Sequence, residues 1–141
     1  MSASVQSGEG EAGGGVPAGR PVLVVEDNAD LRDICKTILE CRGYLAICAA
    51  DGWEGYELAR QHLPAVVLTD IMMPVMDGRE MAMRLRSDTT TAHIPIVAFS
   101  AAPVSERDRV AAGFAACVEK PFDPHRLVEL LRDVIALRSA A

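Results

Sequence analysis

No stretch of this chain approaches the ~20 consecutive apolar residues that a membrane-spanning helix requires, although half of its 141 residues are hydrophobic. The N-terminus lacks the basic-then-apolar order of a secretory signal. An excess of cations is also missing: the formal net charge is −6, and of 14 basic side chains only Lys36 and Lys120 are lysines. That balance argues against nucleic acid as a direct ligand, because a phosphate backbone needs a basic footprint. Cys35, Cys41, Cys48 and Cys117 show no CxxC spacing. Zinc and disulfide roles are therefore disfavoured, and reduced thiols in a cytoplasmic protein are expected. Finally, Glu26-Asp27-Asn28-Ala29-Asp30 contains no glycine, so the loop after the first apolar run cannot bring its backbone against a phosphate as a P-loop or dinucleotide site does.

What is present suits one domain with one sizeable core. Residues 1–20 are rich in Gly, Ser and Ala and nearly devoid of large apolar groups. They cannot offset their ordering entropy and are expected to form a disordered tail. Residues 21–138 carry the domain, and 139–141 are its C-terminal end. No internal repeat is visible.

From Arg20 on, two periods alternate. Val22–Val25 is a continuous apolar run. Leu31, Ile34, Cys35, Ile38 and Leu39 then recur as the stripe of an amphipathic helix that Gly43 ends. Strands are expected at 44–49, 65–69, 94–100 and 116–118. Helices are expected at 53–62, 78–87, about 104–112 and 124–138, the last with the stripe Leu127, Leu130, Leu131, Val134 and Ile135. Such alternation implies a five-stranded parallel sheet covered on both faces and joined by right-handed crossovers, a flavodoxin-like doubly wound (βα)5 fold.

Ligands of such sheets bind beyond the carboxyl ends of the strands. That rule collects Glu26, Asp27, Asp70, Ser100 and Lys120 at one mouth. Asp70 ends Val66-Val67-Leu68-Thr69, and Pro74 and Asp77-Gly78 prevent the chain from continuing straight. An ionised group at the tip of a buried strand is expensive unless paired or coordinated, so Asp70 is either a cap or chemistry, and its companions favour chemistry. Three acids suit a hard cation, with Mg²⁺ the one expected. With a metal and Lys120 beside it, Asp70 could stay ionised and attack phosphorus.

These residues resemble the response-regulator receiver domain of two-component signalling. The resemblance covers about residues 21–138 and rests on four motifs in order: Val24-Val25-Glu26-Asp27-Asn28; Asp70 with Met73-Pro74 and Met76-Asp77-Gly78; Ile94 to Ala101; and Lys120-Pro121-Phe122. It implies that Asp70 accepts a phosphoryl group from a histidine kinase or a histidine phosphotransfer protein. It further implies that Asp27 ligates Mg²⁺, Glu26 acts through water, and the Met72 carbonyl completes the protein ligands alongside Asp70. Ser100 would bind a phosphoryl oxygen, Lys120 would pair with Asp70 or its phosphate, and the Lys120–Pro121 peptide is expected to be cis.

Two departures stand out. Cys117 occupies the position three before the lysine where the family usually has Tyr or Phe, and the stretch from Ser100 to Lys120 is shorter than usual by about two residues. The expectation is that phosphate chemistry is kept while the aromatic relay is absent or rerouted. Asp77-Gly78 reads as turn chemistry, and the Met72, Met73, Met76, Met81, Met83 series reads as core or loop filler. Met72, next to the site, could restrict a hydrolytic water. Cys117 as a redox sensor and the three histidines as ligands are disfavoured, and Arg84 and Arg86 read as a wet helix face.

Three functions are compatible. The first is a phosphorylatable signalling module, not a turnover enzyme, with slow self-catalysed transfer and hydrolysis and an unidentified downstream protein target. The second is a Mg²⁺-dependent aspartyl-phosphate phosphatase. It is disfavoured because Met72 stands where haloacid-dehalogenase-like enzymes place a second Asp, and because no cap domain is present. The third is a binding-only pseudo-receiver that is never phosphorylated. No output domain follows residue 138, which fits a single-domain regulator acting by docking or relay, or a piece of a longer protein.

Overall fold

Apolar runs too continuous for a one-faced sheet become strands buried on both sides. The computed structural model describes residues 20–140, with side chains to residue 137. The expected tail, apart from Arg20, lies outside the described residues, as does Ala141. The elements are β1 (Val22–Val25), α1 (Ala29–Cys41), β2 (Ala46–Ala49), α2 (Gly52–His62), β3 (Val66–Asp70), α3 (Gly78–Ser87), β4 (Ile96–Ser100), α4 (Glu106–Ala112), β5 (Ala116–Glu119) and α5 (Pro124–Ala140). The five strands form one parallel sheet in the order β2-β1-β3-β4-β5. Register pairs Val22 with both Ala46 and Val66, Val67 with Ile96, and Val97 with Ala116.

Strand residues alternate between two cores, as the pleat requires. Val22, Val24, Val66, Leu68, Val97 and Phe99 pack with Cys35 and Leu39 of α1 and Leu127, Leu131 and Ile135 of α5. Leu23, Val25, Val67, Ile96 and Ala98 pack with Ala59 of α2 and Met81, Ala82 and Leu85 of α3. Helix α4, in contrast, contributes no buried residue.

The starts of four helices follow from side-chain caps that accept orphan N–H groups. Asn28 accepts from Leu31 N at 3.0 Å, Asp51 from Glu54 N at 2.8 Å, Asp77 from Glu80 N at 2.9 Å and Ser105 from Asp108 N at 3.1 Å. Gly43 and Gly113, at φ 89° and 81°, follow the ends of α1 and α4 in the left-handed region that glycine adopts without penalty.

Several boundaries differ from expectation. Strand β2 starts at Ala46, because Tyr44 N is still bonded to Leu39 O of α1 at 3.1 Å. Strand β4 starts at Ile96, since Pro95 has no N–H to donate; its carbonyl still accepts from Val67 N at 3.0 Å. Helix α4 starts at Glu106, just past its Ser105 cap, and leaves Val104 outside. Strands β3 and β5 extend to Asp70 and Glu119, α1 begins at Ala29 and α5 reaches Ala140. Of the methionines, Met76 and Met81 are buried while Met72 and Met83 are exposed.

Candidate functional site

The carboxyl ends of β1, β3, β4 and β5 bring the expected residues to one mouth. Glu26 directly follows β1, and its N–H continues the ladder to Ala49 O at 3.0 Å. Its side chain turns inward to 1 % exposure. There Oε2 accepts from Asn28 N at 2.9 Å and Oε1 meets Lys120 Nζ at 3.1 Å. Lys120 Nζ also lies 3.2 Å from Asp70 Oδ2, so one ammonium bridges two acids. Its N–H is anchored to Ser100 O at 2.8 Å, and Nζ sits 4.8 Å from the Phe99 ring centroid, a cation–π contact. The Lys120–Pro121 peptide is cis.

Glu26, Asp27 and Asp70 each offer a carboxylate oxygen, and these oxygens lie within 4.8 Å of one another. Glu26 and Asp70 are buried and Asp27 is exposed, so the group opens to solvent on one side. Burial, only partly offset by the Asn28 N–H and Lys120, pushes the Glu26 carboxyl above its ordinary value. Burial pulls the Lys120 ammonium down, but the hydrogen bond to Glu26 and the charges of Asp70 and Glu26 outweigh it and leave it raised. One ammonium facing three clustered carboxyl groups leaves an excess of negative charge, and oxygen donors at this spacing fit a small divalent cation.

Ser100 ends β4 one residue beyond Phe99, the register partner of Asp70, and its Oγ accepts from Ala102 N at 3.2 Å. Met72 is 73 % exposed on the loop after Asp70. Cys117 stands opposite Ala98 in β5, half-buried against the core that faces α2 and α3. Burial pushes its thiol up, against a smaller opposing effect of Arg109. Asp77 caps α3 rather than pointing to the acidic group. The sequence did not suggest that Arg32 would donate to Glu26 O at 2.8 Å. Nor did it suggest that Gly78 is needed for a close approach, since a Cβ there would stand 2.4 Å from Asp70 O. The sequence signal for the latter is the Asp77-Gly78 turn pair that follows Asp70 and Pro74.

The family model described as "Response regulator receiver domain" matches residues 22–132. The chain belongs to the response-regulator receiver family. Among curated relatives, the polar-differentiation response regulator DivK of Brucella ovis is 31 % identical over 118 residues, covering 82 % of this chain and 96 % of DivK. Response regulator Rre1 of Synechocystis is 33 % identical over 124 residues, covering 85 % of this chain and 53 % of Rre1. This chain thus spans nearly all of the one relative and about half of the other. Among solved structures, chemotaxis protein CheY4 of Vibrio cholerae superposes with a TM-score of 0.78 at 30 % identity, covering 83 % of this chain and 99 % of that one. The receiver domain of sensor histidine kinase PA1611 of Pseudomonas aeruginosa does so with a TM-score of 0.77 at 27 % identity, covering 84 % and 99 %. That crystal structure is described as having a magnesium ion coordinated in its active-site cleft. Among the described residues no helix is long and apolar enough to cross a membrane.

Proposed function

We propose that this receiver accepts a phosphoryl group on Asp70 from the phosphohistidine of a histidine kinase or a histidine phosphotransfer protein, and that the phosphorylated form switches binding of a protein target or passes phosphate onward. The observation that carries this reading is the bridging of Glu26 and Asp70 by one ammonium, Lys120, inside a cluster of three carboxylates. Asp27, Asp70 and the Met72 carbonyl would hold Mg²⁺, with Glu26 acting through water. When bound, the ion neutralises the anionic pocket and the oxygens of the incoming phosphoryl group. An Asp70 carboxylate oxygen attacks phosphorus as the bond from phosphorus to the donor nitrogen breaks, and the departing imidazole takes up a proton. Lys120 would stay with the charge that forms on the acceptor, and the Ser100 hydroxyl, which accepts from Ala102 N, would donate its own proton to a phosphoryl oxygen. Both act chiefly by position and charge, which is what phosphoryl transfer asks of a protein. Met72, apolar and beside the acceptor, would slow water attack, giving a long-lived signal and slow self-catalysed hydrolysis rather than turnover.

Incubation with acetyl phosphate and Mg²⁺ followed by intact-mass measurement tests the reading. One phosphoryl adduct, lost in Asp70→Ala and in chelator, is expected. No adduct in the wild type would refute it and favour a binding-only module, the reading to which Cys117 at the aromatic position lends support. Rapid multiple turnover of a small phosphate ester would point to a phosphatase instead.

A further inference from the structure

The loop that leaves Asp70 returns to it. Gly78 N donates to Ile71 O at 2.8 Å, and a Cβ on Gly78 would lie 2.4 Å from Asp70 O and 3.0 Å from Ile71 Cα. Helix α3 therefore begins in direct backbone contact with Asp70. Between these ends, Met76 N donates to Pro74 O at 2.7 Å across Val75, whose φ is 70°. That places a β-branched residue in the left-handed region, which leaves a tight turn little slack. The Met76 side chain is buried, so the turn cannot swing outward without exposing it.

The far side of this loop rests on a different segment. Gly52, the first residue of α2, donates its N–H to Met76 O at 3.1 Å. A Cβ on Gly52 would stand 2.2 Å from Met76 O, 2.9 Å from Met76 C and 3.0 Å from Met76 Cβ. The obstacle is mostly backbone, so no rotamer change relieves it. Gly52 does not have a left-handed φ, so its conformation does not call for glycine. In a helix interior alanine is favoured over glycine by about 1 kcal/mol, and helix propensity gives no reason for glycine at this first position. The neighbouring loop accounts for the glycine.

We infer that Gly52 is a positioning residue for Asp70: it lets loop 71–77 seat against α2, and the loop, pinned at Gly78, fixes the Asp70 backbone where its carboxylate converges with Glu26 and Asp27. Any side chain at position 52 displaces Met76 O, and a taut turn passes that displacement toward Asp70 instead of absorbing it. This inference rests on the reading of Asp70 as a metal-assisted phosphoacceptor and adds a residue from outside the acidic cluster to it.

The test compares the full chain as wild type, Gly52→Ala and Gly113→Ala. Gly113, at φ 81° with the Arg86 guanidinium 1.4 Å from its would-be Cβ, lies in the turn before β5 and serves as a control for lost stability. Mg²⁺ is titrated while amide chemical shifts are followed, and acetyl phosphate adduct formation is timed at saturating Mg²⁺. Gly52→Ala is expected to raise the Mg²⁺ midpoint about tenfold or more and to slow adduct formation, in line with what supporting residues and small misplacements exact at metal and transfer sites. Gly113→Ala should melt earlier yet keep the wild-type midpoint. In the wild type, the Gly52 amide resonance should move with Mg²⁺ at the same midpoint as that of Asp70, a measurement that stands even if Gly52→Ala does not fold. A stationary Gly52 amide, or a Gly52→Ala midpoint equal to wild type, overturns the inference. Absence of any Mg²⁺-dependent shift at Asp27 and Asp70 in the wild type would instead overturn the underlying reading.

Discussion

Replacing Lys120 by methionine removes the bridging charge while keeping most of the aliphatic stem, and leaves Glu26 at 1 % exposure without its ion-pair partner. A buried carboxylate deprived of its partner need not remain ionised, since it can take up a proton instead. Relative to the ordinary Glu value of 4.5, holding that proton takes about 1.4 kcal/mol per pH unit. At pH 7 the penalty therefore has a ceiling of ~3 kcal/mol, at the lower end of what breaking a buried pair removes. The Asn28 N–H still donates to Glu26 at 2.9 Å, and Asp70, nearer the surface, can recruit water. The expected loss is about 2–3 kcal/mol at pH 7. Its pH dependence has a definite sign. Burial already raises the Glu26 pKa in the wild type, and losing Lys120 raises it further. A carboxyl raised in the folded state favours folding below its unfolded value and loses that contribution as pH rises through the folded value. The deficit should accordingly grow with pH, from under about 1 kcal/mol at pH 5 to its full size at pH 7. Urea unfolding of both proteins at pH 5, 6 and 7, in chelator and at fixed ionic strength, measures it. A deficit equal at pH 5 and pH 7 would refute the argument, because it would locate the effect of Lys120 in packing rather than in the charge facing Glu26.

Val75→Gly should stabilise the fold by about 0.5–1 kcal/mol, the left-handed penalty of a branched residue less the extra chain entropy of glycine, because Val75 at φ 70° is 81 % exposed and gives up little burial; a lowered urea midpoint would contradict this. Alkylation of the native protein with iodoacetamide should label exposed Cys41 first and spare Cys35, whose thiol burial pushes up to about 12; peptide mapping that found equal labelling would show that α1 opens readily. Activation with beryllofluoride, which stands in for the phosphoryl group, should shift amides around Asp70 strongly and those of 101–118 weakly. Equal shifts in the two regions would mean that the relay through the β4–β5 side is rerouted rather than absent.

The alternation of strands and helices was legible because every central strand is buried on both faces and because capping side chains mark where helices begin. The grouping of Glu26, Asp70 and Lys120 was legible too, since each closes a strand and parallel topology puts those ends together. Boundaries at Tyr44 and Pro95 were not, because both are apolar positions continuous with a strand but with no donor in its ladder: Tyr44 N bonds Leu39 O and Pro95 has no N–H. Also hidden were contacts made to backbone carbonyls: the Gly52 N–H on Met76 O, the Gly78 seat on Asp70 O and the Arg32 guanidinium on Glu26 O. Side-chain chemistry leaves no periodic trace of such contacts, and the Gly52 contact depends on how two distant loops are set against one another.

The same division bears on Cys117. Glu26, Asp70 and Lys120 are held by strand ends and by the two cores that pack the sheet, and the ion pairs among them and the Asn28 bond to Glu26 involve neither α4 nor the residue at position 117. Helix α4 has only seven residues with none buried, and its C-terminal turn is fastened by Arg109, which donates to Phe114 O at 2.8 Å and Ala115 O at 3.2 Å. A thiol half-buried opposite Ala98 fills far less volume than an aromatic ring. Among the described residues, the carboxylates proposed to take up phosphate thus meet the α4–β5 side only through Lys120, which follows β5 and whose N–H is anchored to Ser100 O at 2.8 Å. A substitution at position 117 can alter transmission while leaving Asp70, Glu26 and Lys120 in place.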